Sequence, residues 1–272
     1  MGRHLVEELR KNDWRVIALH REGSSRARLF DGTSIESRAI SSAGDFGRIL
    51  SEVDVGHIFH LAAHQSRGDS TADIELFLDA NLRLTMHIFR AAAEHHAKVV
   101  SALSYFQYRE GQPVAHSLYS ATKLAQAEFA RYWREVVGVD IRDVVLFDNY
   151  GPQDERSKLI PALIHAARTG EEIVVGPREQ RLDLLHVRDV AAGLIAVADD
   201  RDGGMLTVRA SSIVTVGDVI DTIGEMAGTP VRTVVDPDRN SGVDPTHAGT
   251  WRKPSGWSPT IDLREGIQEC MI

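Results

Sequence analysis

A chain of 272 residues, 43% hydrophobic and 26% charged, can bury a substantial core as one large domain or as a domain with a smaller lobe. A formal charge of −8 without a clustered basic stripe excludes general nucleic-acid binding. No apolar run reaches membrane-spanning length, no signal-peptide core opens the chain, and the single cysteine, Cys270, allows no internal disulfide; a soluble cytoplasmic protein is expected.

In chain order, Leu5, Val6 and Leu9 recur at helical spacing over 3–11, and Asn12-Asp13 supplies a stop. A short apolar strand over 14–19 follows, then a weaker strand over 34–40 and a short helix over 45–53. The run His57-Ile58-Phe59-His60-Leu61-Ala62 reads as a buried strand. Residues 72–96 form a helix long enough to hold a bend, with Leu82, Met86, Phe89 and Ala93 on one stripe. A strand over 98–103, an amphipathic helix over 118–136 and a strand over 140–146 complete the first half. Strands alternating with helices at this pace predict an α/β fold with a doubly wound parallel sheet.

Beyond Tyr150-Gly151-Pro152 the pattern changes. Helices are expected over 157–169, 188–199, 216–227 and 262–269, with short extended pieces over 173–175 and 205–209. Residues 236–259, rich in Pro, Gly and Asp, read as loop. The expected division is a dinucleotide-binding domain over 1–150 and a smaller substrate lobe over 151–272, partly interleaved with the first. A doubly wound sheet opens with a strand and a glycine-rich turn before its first helix. This sequence starts inside that helix, so the opening strand and most of the turn are expected to be missing, with Gly2 as the last glycine of the turn.

The chemistry points to Tyr119-Ser120-Ala121-Thr122-Lys123. On a helix the four-residue spacing puts phenol and ammonium on one face, roughly 6 Å apart along the axis. A nearby cation favours phenolate, which would lower the Tyr119 pKa and ready the hydroxyl for proton exchange with a carbonyl or alcohol. The strand over 98–103 ends at Ser104 and delivers a second hydroxyl towards the same place. An ordinary helical face for Tyr119 and Lys123, and a turn-satisfying serine at Ser104, are the plainer explanations. The pairs His95-His96 and His60-x-x-x-His64 lack a supporting acidic or cysteine constellation, so no metal site is expected.

Taken in order, these blocks resemble the extended short-chain dehydrogenase/reductase family of NAD(P)-dependent nucleotide-sugar epimerases, dehydratases and reductases. The resemblance rests on Gly2 and its helix, Gly44-Asp45-Phe46, His60-Leu61-Ala62-Ala63, Asn81, Ser104, Tyr119-x-x-x-Lys123, Phe147-Asp148-Asn149-Tyr150-Gly151-Pro152 and Asp183-Leu184-Leu185-His186-Val187-Arg188-Asp189-Val190. Gly256-Trp257-Ser258-Pro259 and Leu263-x-x-Gly266-Ile267 match the family's usual ending. Within it, Ser104-Tyr105-Phe106-Gln107-Tyr108 and the short gap to Tyr119 are most similar to CDP-abequose and CDP-paratose synthases. Dehydratases carry a Thr-Asp-Glu set after the active-site strand; Ser104-Tyr105-Phe106 supplies no carboxylate.

The resemblance implies a Rossmann-like fold in which Tyr119 protonates a keto oxygen, Ser104 holds it and Lys123 binds the nicotinamide ribose. It also implies cofactor contacts from Gly2, His20, Arg21, Asp45, Phe46, Leu61, Ala62, Ala63, Asn81, Phe147 and Asn149. Substrate contacts fall to Gln107, Asp148, Lys158 and Arg181. Core packing would explain Phe46 equally well, and Lys158 or Arg181 could be surface charges. At the end of the second predicted element, His20-Arg21 precedes Glu22; an arginine there accommodates a 2′-phosphate, which favours NADP(H), with NAD(H) possible. The expected activity is NADPH-dependent 4-ketoreduction of a nucleotide-activated deoxysugar. The alternatives are an NAD-dependent epimerase and a non-catalytic NADP-binding scaffold. The helices over 72–96 and 118–136 match those that form a dimer interface in relatives, so a homodimer is expected.

Overall fold

A computed structural model describes residues 1–24, 33, 35–66, 68–154, 158–239 and 243–272. Among these the first half runs α1 (Gly2–Lys11), β1 (Ile17–Arg21), β2 (Glu36–Ile40), α2 (Asp45–Ser51), β3 (His57–His60), α3 (Thr71–Phe77), α4 (Leu84–His95) and β4 (Lys98–Ser104). A short hairpin, β5 (Tyr108–Arg109) and β6 (Gln112–Pro113), leads to α5 (Leu118–Tyr132), β7 (Ile141–Leu146) and β8 (Asp148–Tyr150). The remainder comprises α6 (Leu159–Thr169), β9 (Ile173–Val175), β10 (Arg181–Leu182), β11 (Leu184–His186), α7 (Val187–Asp199), β12 (Met205–Val208), β13 (Val214–Thr215), α8 (Val216–Ala227), β14 (Thr233–Val235) and α9 (Leu263–Met271).

The central sheet is parallel in the order β12-β7-β4-β3, and β1 pairs with β2 in a separate parallel pair. No backbone pairing between described residues joins β1 to β3. Trp14 bridges them through side chains instead, its ring edge-on to His57 at 4.9 Å and to Phe59 at 6.1 Å. The expected strand over 14–19 is shifted to Ile17–Arg21; ahead of it the Trp14 amide donates to the Leu9 carbonyl of α1 at 3.1 Å. Ser34 of the second expected strand and Ser157 at the expected start of α6 lie outside the described residues, as do 240–242 within the expected loop.

Helices cover both faces of the sheet, which is why β7 is buried along its whole length and β4 from Val99 onward. On one face Leu5 and Leu9 of α1 and Val190, Leu194 and Val197 of α7 pack on Val100, Ala102, Val144 and Leu146. On the other, Phe46, Leu50, Ile88, Phe89 and Ala130 pack on Ile58, Val99 and Ile141. A third cluster joins α6, α8 and α9 through Ile160, Leu163, Ile220, Ile223 and Ile267, with Tyr150 at its edge. Strand alternation sorts the polar residues of β7. Arg142 points to α7 and donates to the Val197 carbonyl at 2.9 Å, capping that helix, while Asp143 points to the α5 face.

The long helix expected over 72–96 is broken by a wide π-turn, Leu78–Arg83, between α3 and α4, and ends at His96 in a left-handed conformation (φ 54°). A second π-turn, Trp133–Val137, closes α5. The expected loop over 236–259 contains a 3-10 turn at Pro245–His247, and Arg252 bridges to Leu206 beside β12. Among the described residues, no helix is long and apolar enough to cross a membrane.

Candidate active site

Ser104 ends β4, directly paired with Leu146 at the end of β7, which in turn pairs with Val208 at the end of β12. These carboxyl ends form the edge at which open α/β sheets bind ligands. Ser117 caps α5 by accepting from the Ser120 amide at 3.1 Å, and this start sets Tyr119 in the first helical turn. Tyr119 is half-buried, and the Ser104 side chain is the polar group that acts on its phenol. The Ser104 hydroxyl also accepts from the Phe106 amide at 3.3 Å, so the turn-capping role and the site role coexist in one oxygen.

The expected electrostatics of the pair are corrected. Burial raises the Tyr119 pKa, and the Ser104 side chain opposes that rise. Lys123 turns into the fold: the residue is 3% exposed, and its ammonium donates to the Ala102 carbonyl at 2.8 Å and to Gln126 Oε1 at 2.9 Å. Burial lowers its pKa to about 8, with the Asp143 carboxylate pulling upward.

An ammonium has three N–H donors. Two of those on Lys123 are taken by the Ala102 carbonyl and Gln126, which leaves one for a ribose hydroxyl and suits the site to a nicotinamide nucleotide. The N-terminus of α1 has no side-chain cap, and a Cβ on Gly2 would meet nothing within 4 Å; a helix N-terminus of this kind suits a phosphate. Ala62 and Ala63 are exposed after β3, with Leu61 half-buried beside them. Arg21, the last residue of β1, and Glu22 after it are exposed, and His20 Nδ1 lies 3.3 Å from the Arg21 carbonyl.

Several expected contacts are instead internal. Phe46 is 5% exposed and belongs to the core under α2, the plainer of its two explanations. Asp45 accepts from the Ser41 hydroxyl at 2.7 Å and from the Ser42 and Ser41 amides at 2.9 and 3.0 Å, bonds that hold its carboxyl well below the usual range and commit it to its own loop. Asn81, fully buried in the first π-turn, accepts from the His64 amide at 2.7 Å and donates to Thr122 Oγ1 at 2.9 Å. It braces the loop after β3 against α5. Gln107 is fully buried; its Oε1 accepts from the Ser104 amide at 3.3 Å, so it supports Ser104 and meets no open cleft.

Phe147 is buried in an aromatic layer, stacked on Tyr105 at 4.8 Å and 7°. The Tyr105 hydroxyl donates to Asp148 Oδ2 at 2.8 Å, and burial raises the pKa of both groups. Lys158 donates to the Asn149 carbonyl at 3.1 Å, at the start of α6, and its charge favours the Asp148 carboxylate. Arg181 is paired with Asp244.

Sequence reasoning missed Arg209, whose guanidinium lies 4.2 Å over the Phe147 ring and donates through Nε to buried Asp183 at 2.7 Å. It also missed Gln126, Ser101 and Asp143 beneath Lys123. Their one signal was a carboxylate inside a strand otherwise apolar on that face. Among the described residues, no group of three or more His, Cys, Asp or Glu could hold a metal ion.

A model of the NAD dependent epimerase/dehydratase family matches residues 1–208. The chain is 27% identical over 228 residues to a dTDP-glucose 4,6-dehydratase of Streptomyces griseus, a match covering 77% of this chain and 69% of that protein. To CDP-abequose synthase of Yersinia pseudotuberculosis it is 22% identical over 157 residues, covering 57% and 55%. Among solved structures, MoeE5 in complex with UDP-glucuronic acid and NAD is similar, with a TM-score of 0.80, 26% identity and coverage of 98% and 93%.

Proposed function

The chain belongs to the NAD dependent epimerase/dehydratase family, and from that premise we propose that it reduces the 4-keto group of a nucleotide-activated 6-deoxysugar with NADPH. The observation that carries this reading is the Tyr119 phenol facing the Ser104 hydroxyl at the carboxyl edge of the sheet, with no carboxylate at 104–106. A bound reduced nicotinamide supplies the hydride. Tyr119 gives its phenolic proton to the keto oxygen, which becomes the alcohol. Ser104 holds that oxygen in line, and a phenol kept protonated by burial stays a donor at neutral pH. Lys123 contributes its remaining N–H to the ribose, and the N-terminus of α1 takes the pyrophosphate.

The similarity to CDP-abequose synthase supports a ketoreductase. The similarity to a 4,6-dehydratase carries less weight, because elimination needs an acid and a base beside the sugar. Tyr105 and Phe106 provide neither, and Asp148 is engaged by the Tyr105 hydroxyl. Exposed Arg21 supports NADPH over NADH. Exposed Ile74, Leu76, Leu78, Tyr132, Val136 and Val137 on and beside α3 and α5 support a homodimer through those helices.

The second reading is an epimerase, favoured by the same Tyr119–Ser104 pair, which serves oxidation and reduction alike. The test incubates the protein with NADPH and a panel of nucleotide-linked 4-keto-6-deoxysugars, and separately with NAD+ and the corresponding 4-hydroxy sugars. Stoichiometric loss of reduced-nicotinamide absorbance with the keto sugars supports reduction; interconversion of the 4-hydroxy epimers with no net change in that absorbance assigns an epimerase.

A further inference from the structure

Three adjacent strands place polar residues in one transverse row. His60 of β3 pairs with Ser101 of β4, and Ser101 pairs with Asp143 of β7. Paired Cα atoms on parallel strands lie about 4.8 Å apart, so the row spans roughly 10 Å. All three side chains are buried on the face covered by α5, where the neighbouring positions Ile58, Val99 and Ile141 are apolar. Lys123 and Gln126, one helical turn apart, lie over this row. Gln126 joins the two layers: it accepts from Lys123 Nζ at 2.9 Å and donates to Ser101 Oγ at 3.0 Å and to the Ala102 carbonyl at 3.3 Å.

A row of polar groups inside an apolar face costs burial energy and calls for a reason. Core packing does not supply one, since apolar side chains would fill the same space. The Arg134–Asp143 bond at 2.9 Å explains one carboxylate oxygen but neither Ser101 nor Gln126. An ammonium overhead explains all of them. It needs acceptors, which Gln126 and the Ala102 carbonyl provide, and a countercharge, which Asp143 provides.

We propose that Asp143 and Gln126 are positioning residues of the reaction. They seat the Lys123 ammonium on the end of β4, keep it charged in a buried place, and leave one N–H to meet a dinucleotide ribose. The charged groups around it are consistent with this. Asp143 favours the ammonium, Arg134 damps that carboxylate from the end of α5, and His60 is kept neutral by burial and by the Lys123 charge itself. Tyr119, on the same helix, is protonated. Only the ribose step rests on the reductase reading; the seat is a property of the free chain.

The chain has five lysines, so selective 13Cε labelling gives few signals, and Lys123→Met assigns the one of interest. The Lys123 signal is expected to titrate near pH 8, apart from the other four. Asp143→Asn, close in shape but uncharged, should lower its midpoint by about one pH unit, roughly tenfold less ammonium at a given pH above the midpoint. Gln126→Met should lower it as well. An unchanged midpoint in Asp143→Asn overturns the proposal; should that variant not fold, an unchanged midpoint in Gln126→Met does so. Added NADPH should then perturb the same signal. A midpoint that falls in the variants, with no response to NADPH or NADH, keeps the seat and removes the reductase reading.

Discussion

The Lys123 ammonium donates to the Ala102 carbonyl at 2.8 Å, so the cation of the Tyr119–Lys123 pair is anchored to the sheet while the phenol faces Ser104. The two side chains share a helix and have different electrostatic environments. Their pKa values move in opposite senses, up for Tyr119 and down for Lys123. This separation assigns the pH dependence of dinucleotide binding to the lysine. Affinity should fall as pH rises through about 8, where the ammonium is lost, and phenol ionisation should follow only above its ordinary value of 10.0. A fluorescence titration of NADPH between pH 6 and 10.0 that shows no loss near 8 would contradict this assignment.

Removing the phenolic proton should abolish chemistry without abolishing binding. Tyr119→Phe is expected to lower kcat by roughly 10² to 10⁴, the range for a positioned general acid, with NADPH affinity nearly unchanged. Ser104→Ala removes the group that lowers the Tyr119 pKa, so the phenol becomes a weaker acid and kcat falls by about tenfold or more. Steady-state kinetics beside equilibrium binding separate the two effects; a Tyr119→Phe enzyme with parental kcat would remove the mechanism.

Acid stability should divide between two buried groups of opposite sign. Burial lowers the His60 pKa to about 3 from 6.5, so the unfolded chain binds a proton that the fold refuses. That contribution is present above 6.5 and is lost as pH falls towards 3, by at most about 1.4 kcal/mol per unit. Burial raises the Asp143 pKa to about 6 from 3.8, which stabilises the fold below 3.8 and loses that stability as pH rises to 6. Between 3.8 and 6 the two offset each other. Urea unfolding across pH 3 to 7 should therefore show an earlier acid loss in Asp143→Asn and a shallower one in His60→Gln than in the parent. Identical pH slopes in all three would refute the assignment.

Asp183 is fully buried and holds Arg209 at 2.7 Å and the Ala210 amide at 2.9 Å. Asp183→Ala leaves a guanidinium on Phe147 without its carboxylate and should cost about 3 kcal/mol, near the lower end for breaking a buried pair. Thermal unfolding provides the measure, and a midpoint within a degree of the parent would show that the pair carries no stability.

Arg21→Ala tests the cofactor. The arginine stands exposed at the end of β1, where a 2′-phosphate would be met. Its loss should weaken NADPH binding by about tenfold or more and leave NADH nearly unchanged. Equal effects on both would turn the assignment to NAD.

The alternation of strands and helices was legible because local pattern and burial agree: β4 and β7 are mostly aliphatic, buried runs, and α1 and α5 carry periodic apolar faces. The breaks were harder to read. The π-turn at Leu78–Arg83 arises inside a helix-forming stretch, where Asn81 turns inward to brace His64 and Thr122. Likewise Phe46, Asn81 and Gln107 stand at the expected positions but face the interior, because spacing fixes a place along an element and packing fixes which way the side chain turns.

Residue types and their spacing alone determined the α/β architecture, the family resemblance and the meeting of Ser104 with Tyr119, since each depends on local periodicity and on where a strand ends. The place of Lys123 was decided only by the folded chain. His60, Ser101 and Asp143 are about forty residues apart from one to the next, and strand register alone makes them neighbours. Charge compensation inside a protein depends on distances through space, and a linear sequence does not contain those distances.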